Sequence, residues 1–377
     1  EADFLPNKLF LRAFNEEDKS SGYQWLDLES DKMTSITHDH FSFSSRVLKA
    51  RDTEDILFTK ENFETFPNLM HTDLNFEKRQ QISDLNPQQK EYAWGSIELM
   101  EYTLKDGKKM QAMLAKPANF DPNKKYPLIV NFYEKSSNRL HSHRAPYPHR
   151  STINYSYYTN RGYVILNPDV AYEVGYPGES ALQAVMQSTD ELLKKGFINE
   201  DNMALQGHSW GGYQIAHIVT KTDRFKCAES GAPVVNMTSA YGGIRWGSGR
   251  SRMFQYEHTQ SRIGGTLWNN LDLYMENSPL FNIDKINTPV LILHNDKDGA
   301  VPWYQGIEFF VAMRRLEKPA WLLNYKNDPH WPLKRQNRKD FNIRMAQFFD
   351  HYLKDGPLPM WMEKGVPAIE RGIELGY

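Results

Sequence analysis

Apolar and polar positions divide the chain into two stretches with different periods. Up to about residue 90 the apolar runs are short: Leu9-Phe10-Leu11, Tyr23-Gln24-Trp25-Leu26 and Asp55-Ile56-Leu57-Phe58, separated by turn-prone segments such as 15–22. No long helical period appears there, and short strands at regular spacing predict antiparallel β structure. Residues 68–74 and 80–84 continue that pattern. From Ile97 it changes. Residues 98–103 and 110–114 predict a hairpin about Lys105-Asp106-Gly107. Strand-like runs follow at 126–133, 163–168, 203–205, 289–294 and 320–325, and helical spacing at 180–195, 213–220 and 337–353. Strands alternating with helices require a mostly parallel sheet with crossovers, an α/β class. Pro357, Pro359 and Pro367 mark a tail outside regular helix.

Length and charge narrow the function classes. At 377 residues the chain exceeds one average domain and can bury a large core. The change of period divides it into a β-rich segment, 1–90, and an α/β domain, 91–377. A net charge of -2 provides no electrostatic case for nucleic acid. No apolar stretch approaches the length of a transmembrane helix. Cys227 is the only cysteine, which rules out an intrachain disulfide, and its apolar surroundings predict a buried structural thiol. The chain begins at Glu1 without a visible signal peptide, so residue 1 is not expected to start the gene product. A periplasmic or secreted location is favoured over a cytoplasmic one. His141, His143 and His149 alternate with Arg144, Pro146 and Pro148. That reads as an irregular loop, and no metal is expected.

The chemistry enters at Gly207-His208-Ser209-Trp210-Gly211-Gly212, a G-x-S-x-G pattern flanked by a predicted strand and a predicted helix. Strand, sharp turn and helix form the context of a nucleophile elbow, with Ser209 as nucleophile and the Trp210 N–H as an oxyanion donor. A serine needs a base and an acid. In an α/β-hydrolase these follow in the order acid, then histidine. The strand at 289–294 leads into Asn295-Asp296-Lys297-Asp298, and both aspartates are placed for the acid role. The strand at 320–325 leads to His330, where a base belongs. Asp328 is near His330 in sequence, but its side chain need not face the ring.

These residues resemble the catalytic domain of the prolyl oligopeptidase family, which includes the dipeptidyl peptidases. The likeness rests on the elbow at 207–212, on the spacing of His294, Asp298 and Val301, and on His330 after a tyrosine-bearing strand. It spans roughly residues 90–355. It implies an α/β-hydrolase fold, Asp298 rather than Asp296 as the acid, and Tyr133 as a second oxyanion donor. It also implies an apolar substrate pocket at Trp210, Val234, Met237 and Val301, and places the 1–90 segment as the last blades of a β-propeller. The edges of an incomplete propeller invite pairing with another chain, and a homo-oligomer is one way to cover them. The expected activity is that of a serine peptidase acting on peptide substrates without a cofactor. An esterase of the same fold and a catalytically silent binding protein remain open alternatives. Some positions depart from the family pattern. Glu134-Lys135 follow Tyr133, Ala300 replaces an asparagine of the dipeptidyl peptidases, and Met237 replaces a tryptophan of the proline pocket. Strict dipeptidyl or proline specificity is therefore not implied. Tyr241 and Trp246, in a Gly-rich stretch, lie near the expected cleft.

Overall fold

The computed structural model describes residues 7–370 and 372–377. The N-terminal part is antiparallel, as its pattern predicts. Strands β1 (Lys8–Phe14), β2 (Ser21–Asp27) and β3 (Met33–Asp39) form one sheet. A second joins β4 (Ser42–Phe43), β5 (Leu48–Lys49), β6 (Ile56–Glu61), β7 (Leu69–Thr72) and β8 (Gln80–Gln81). Tyr23, Phe43, Ile56, Phe58, Leu74 and Phe76 bury their side chains between them. Strand β3 has no counterpart in the sequence reading. Its residues are mostly polar and exposed, so no alternation announces it, and pairing with β2 holds it in place.

The second part is built on one sheet, with strands β9 (Ser96–Thr103), β10 (Lys109–Lys116), β11 (Tyr126–Asn131), β12 (Val164–Pro168), β13 (Ile198–His208) and β14 (Cys227–Gly231). A two-stranded hairpin, β15 (Ile244–Arg245) with β16 (Arg250–Ser251), lies outside this sheet. Strands β17 (Val290–Leu293) and β18 (Ala320–Leu323) complete it. Among the described residues the order is β18-β17-β14-β13-β11-β12-β10-β9. Strands β9, β10 and β12 pair antiparallel, and the others run parallel.

Side chains alternate across the sheet, and both faces are covered. Leu128, Val130, Leu166 and Leu205 point to a core shared with the helices Pro177–Leu193, Trp210–Ile218 and Tyr304–Arg315. Ile129, Ile165, Ala204 and Leu291 point to the opposite core, closed by the long helix Arg335–Lys354. Burial on both faces explains why these strands read as continuous apolar runs. Cys227 is fully buried in the second core. In the Pro-rich tail, a one-turn helix forms at Met360–Glu363 after Pro359, whose fixed φ suits a helix start.

This topology fixes where a site can form. From β11 the chain steps to β12 on one side and returns to β13 on the other. The order reverses there, and a crevice opens beyond the carboxyl ends of β11 and β13. Phe132-Tyr133 leave the first of these ends and Ser209 leaves the second.

Strand β14 carries an acid into the sheet interior. Glu229 is fully buried and accepts a 2.7 Å hydrogen bond from Gln206 Nε2 on β13. Burial pushes its carboxyl up to about 8, against the lowering effect of that hydrogen bond. At neutral pH Glu229 is therefore protonated in the fold. A raised folded-state pKa contributes stability that is complete below the unfolded carboxylate value and disappears as pH rises through the folded value. Raising the pH from 6 to 9 is expected to lower the wild-type unfolding midpoint in urea clearly more than that of Glu229→Gln. Equal losses in the two proteins would show that Glu229 does not carry the effect.

Candidate active site

The turn after β13 is tight because three backbones meet there. Ser209 has φ 62° and ψ -115°, a conformation that L-residues rarely adopt, and its N–H donates to the Gly231 carbonyl at 2.7 Å. A Cβ on Gly212 would lie 2.2 Å from the Gly231 oxygen, and one on Gly211 would lie 2.7 Å from the Phe132 oxygen. Only glycine allows the helix Trp210–Ile218 to start so close to the ends of β14 and β11. Trp210 opens that helix, so its N–H belongs to the first turn, which has no intrahelical acceptors.

A histidine and an acid lie beside this turn. The His330 ring packs 4.7 Å from the ring of His208, the residue preceding Ser209. His330 Nδ1 donates to Asp298 Oδ2 at 2.6 Å, and the Asp298 side chain is fully buried. The other oxygen, Oδ1, accepts the N–H groups of Ala300 and Val301, each at 2.8 Å. His294 Nε2 lies 3.3 Å from Oδ2. Burial alone would raise the Asp298 carboxyl. The hydrogen bonds and charges of His294 and His330 outweigh it and hold the group well below the usual carboxylate range. Asp298 is thus an anion with its lone pairs filled, and the Nδ1 bond leaves His330 Nε2 as the acceptor nitrogen. The two other aspartates have different partners. Asp296 accepts the Asn327 N–H at 2.7 Å, and Asp328 accepts from Asn337 at 2.6 Å.

Across the crevice, Tyr133 is held from both ends. Its carbonyl accepts from Gln214 Nε2 at 2.7 Å and from the Tyr172 hydroxyl at 3.1 Å. Its hydroxyl accepts from Gln260 Nε2 at 2.9 Å. Tyr172 also accepts the Trp210 indole N–H at 3.0 Å. With an acceptor lone pair filled by Gln260, the Tyr133 proton is free to point into the crevice. Tyr172, Gln214, Gln260 and His294 as a partner of Asp298 are absent from the sequence reading. They lie 39, 81, 127 and 4 residues from the groups they bond. No local motif marks the first three, and His294 served there only as a spacing marker.

The four pocket residues do come together, but not as an open pocket. Trp210, Val234, Met237 and Val301 pack with Tyr213, Tyr241, Tyr256 and Tyr274 into one apolar cluster, and none of the four exceeds 4% exposure. Met237 is completely buried, as a core methionine would be. Tyr241 joins this cluster, whereas Trp246 stands out in solvent at 72% exposure. The loop with His141, His143 and His149 is irregular. His149 Nδ1 accepts the N–H groups of Ser151 and Thr152, at 3.2 and 3.0 Å.

A profile of the prolyl oligopeptidase family matches residues 174–356, which include Ser209, Asp298 and His330. The uncharacterized peptidase YuxL of Bacillus subtilis is 26% identical over 275 residues, 68% of this chain and 39% of its own length. Dipeptidyl-peptidase 5 of Porphyromonas endodontalis is 26% identical over 279 residues, 66% of this chain and 36% of that protein. Among solved structures, the acylaminoacyl peptidase of Pyrococcus horikoshii superposes with a TM-score of 0.74 at 18% identity. That match covers 96% of this chain and 57% of the other. The chain therefore spans little more than a third of the length of these two curated relatives.

The elbow geometry has a measurable cost. Holding Ser209 at positive φ stores strain of about 1–3 kcal/mol. Ser209→Gly, which adopts that φ freely, is expected to be more stable than Ser209→Ala by about 1 kcal/mol in denaturant unfolding. An alanine variant as stable as the glycine variant would show the turn to be unstrained.

Proposed function

We propose, from the match of residues 174–356 to the prolyl oligopeptidase family, that the chain is a serine peptidase hydrolysing oligopeptides through an acyl-enzyme. One observation carries the reading: the buried Asp298 carboxylate holds His330 through Nδ1, with the imidazole beside a strained serine turn. In this reading Ser209 Oγ attacks the scissile carbonyl and His330 Nε2 takes its proton. The nitrogen of the leaving amine receives that proton as the C–N bond breaks. A water molecule then attacks the acyl-enzyme, again losing a proton to His330, and the acid product leaves as Ser209 regains its hydrogen. Asp298 keeps the ring in its tautomer and stabilises the imidazolium. The Tyr133 hydroxyl and the Trp210 N–H serve as oxyanion donors, each worth about 3 kcal/mol in the transition state. Trp210, Val234, Met237 and Val301 are packed into the core beside the elbow and support the turn rather than line the substrate site. Residues 8–81, with their two antiparallel sheets, fit the last blades of a propeller.

The most informative experiment is a peptide-library digest with both product termini identified, because it reports reaction class, end preference and side-chain preference together. New peptide termini that depend on Ser209 are expected, along with labelling of Ser209 by a fluorophosphonate. Hydrolysis of esters without cleavage of any peptide would overturn the peptidase reading. Asp298→Asn is expected to lower kcat by roughly 10³–10⁴-fold, whereas Asp296→Asn stays near wild type. Near-normal turnover in Asp298→Asn would remove it from the triad.

A further inference from the structure

Two arginines beside this crevice form no ion pair among the described residues. Arg252 is 1% exposed, among the largest fully buried side chains. One of its terminal nitrogens donates to the Ala300 carbonyl and the other to the Tyr256 hydroxyl, at 3.0 Å, while Nε has no partner. Arg245 is half-buried, and Nη2 donates to Gln255 Oε1 at 2.9 Å. Among the described residues neither forms an ion pair. An arginine does not shed its proton, and leaving a charge buried without a counter-ion is strongly unfavourable. These two guanidinium groups therefore present a positive field that the Asp298 carboxylate offsets only in part.

Their position relates that field to the proposed chemistry. Arg245 lies on the β15–β16 hairpin, and the next residue, Trp246, donates its N–H to the Gly299 carbonyl at 3.2 Å, adjacent to Asp298. Arg252 bonds Ala300 in the same acid-bearing loop. On the other side, Gln255 Nε2 donates to Gln260 Oε1 at 3.0 Å, and Gln260 donates to the Tyr133 hydroxyl. Arg245 is thus anchored between the acid loop and the proposed oxyanion tyrosine, with one terminal nitrogen used and the remaining N–H groups of its planar fork available. Burial, and then the charge of Arg252, lower the Arg245 pKa. Tyr256, Tyr133 and Asp298 act in the opposite direction.

We propose that Arg245, with Arg252 behind it, forms an anion-binding subsite that takes the carboxylate of an aspartate or glutamate side chain next to the scissile bond. The assignment rests on the peptidase reading for its meaning in catalysis, but not for the binding event itself. A carboxylate would meet the guanidinium fork in two parallel charge-assisted hydrogen bonds. It would also supply countercharge beyond that of Asp298. A glutamine of the same shape could offer only one neutral acceptor to the same fork. Arg252 is too enclosed to touch the substrate and acts as a positioning residue, holding the acid loop at Ala300 while adding to the field.

Binding is measured without turnover. In a Ser209→Ala background, matched peptides that differ only as Glu or Gln at each position flanking the cut are titrated by calorimetry. The Glu peptide is expected to bind about tenfold or more tightly at one position, with the advantage reduced in Arg245→Lys and abolished in Arg245→Gln. Equal affinities in the parent, or a Glu advantage that survives Arg245→Gln, would overturn the subsite. Circular dichroism of each variant checks folding, and Arg245→Lys serves should Arg245→Gln fail to fold. The same peptides given to the wild-type protein test the other reading separately. Arg245-dependent binding without any cleavage would leave the subsite standing and remove the peptidase assignment.

Discussion

The close approach of the 209–212 turn to Gly231 and Phe132 is the contact on which the rest of the site depends. It brings three strand ends within van der Waals reach, and no side chain larger than hydrogen fits at residues 211 and 212. From that contact follow the positive φ of Ser209, the first-turn exposure of the Trp210 N–H and the nearness of Tyr133 to the elbow. The sheet supplies the rigidity. Its parallel strands are locked between two apolar cores, so strain at residue 209 cannot relax by moving the strands apart.

Burial then determines what each titratable group can be. Asp298 and Glu229 are both carboxyls enclosed by protein, yet they end in opposite states. Asp298 gains hydrogen bonds from His294, His330 and two backbone amides and remains an anion. Glu229 gains one hydrogen bond from an amide side chain and keeps its proton. Desolvation acts on both, and the number and charge of donors decide the outcome. His208 belongs to the same ledger. Burial and the neighbouring His330 keep its imidazole well below its usual range, so it adds no second cation beside His330. On the opposite side of that loop, two guanidinium groups form no ion pair among the described residues.

Much of this was legible in the chain because it is encoded locally. The elbow is six consecutive residues, and its glycines and flanking apolar runs report one turn. The choice of Asp298 over Asp296 needed the family spacing, and the different partners of the two residues are visible only in three dimensions. Asp298 loops back to its own Ala300 and Val301 amides and faces His330, while Asp296 faces Asn327. The resemblance to the family implied the pocket as a set of lining residues. The structure instead packs those residues against four tyrosines, because tertiary neighbours decide whether an apolar side chain lines a cavity or fills a core.

By itself, the sequence determined the α/β class and the strands that lead into Ser209, Asp298 and His330. Each of these depends on residues adjacent in the chain or on a two- or four-residue period. Only the tertiary structure decided what surrounds them. The polar strand β3, the clamp of Gln214 and Tyr172 on Tyr133, and the Arg245–Gln255–Gln260–Tyr133 chain join residues that share no period and no short spacing. The reason is that hydrogen bonds and charge act over a few ångströms of space, whatever the distance along the chain. A lone arginine in a Gly-rich stretch carries no signal until the fold shows what it bonds, here Gln255 and no ion-pair partner among the described residues.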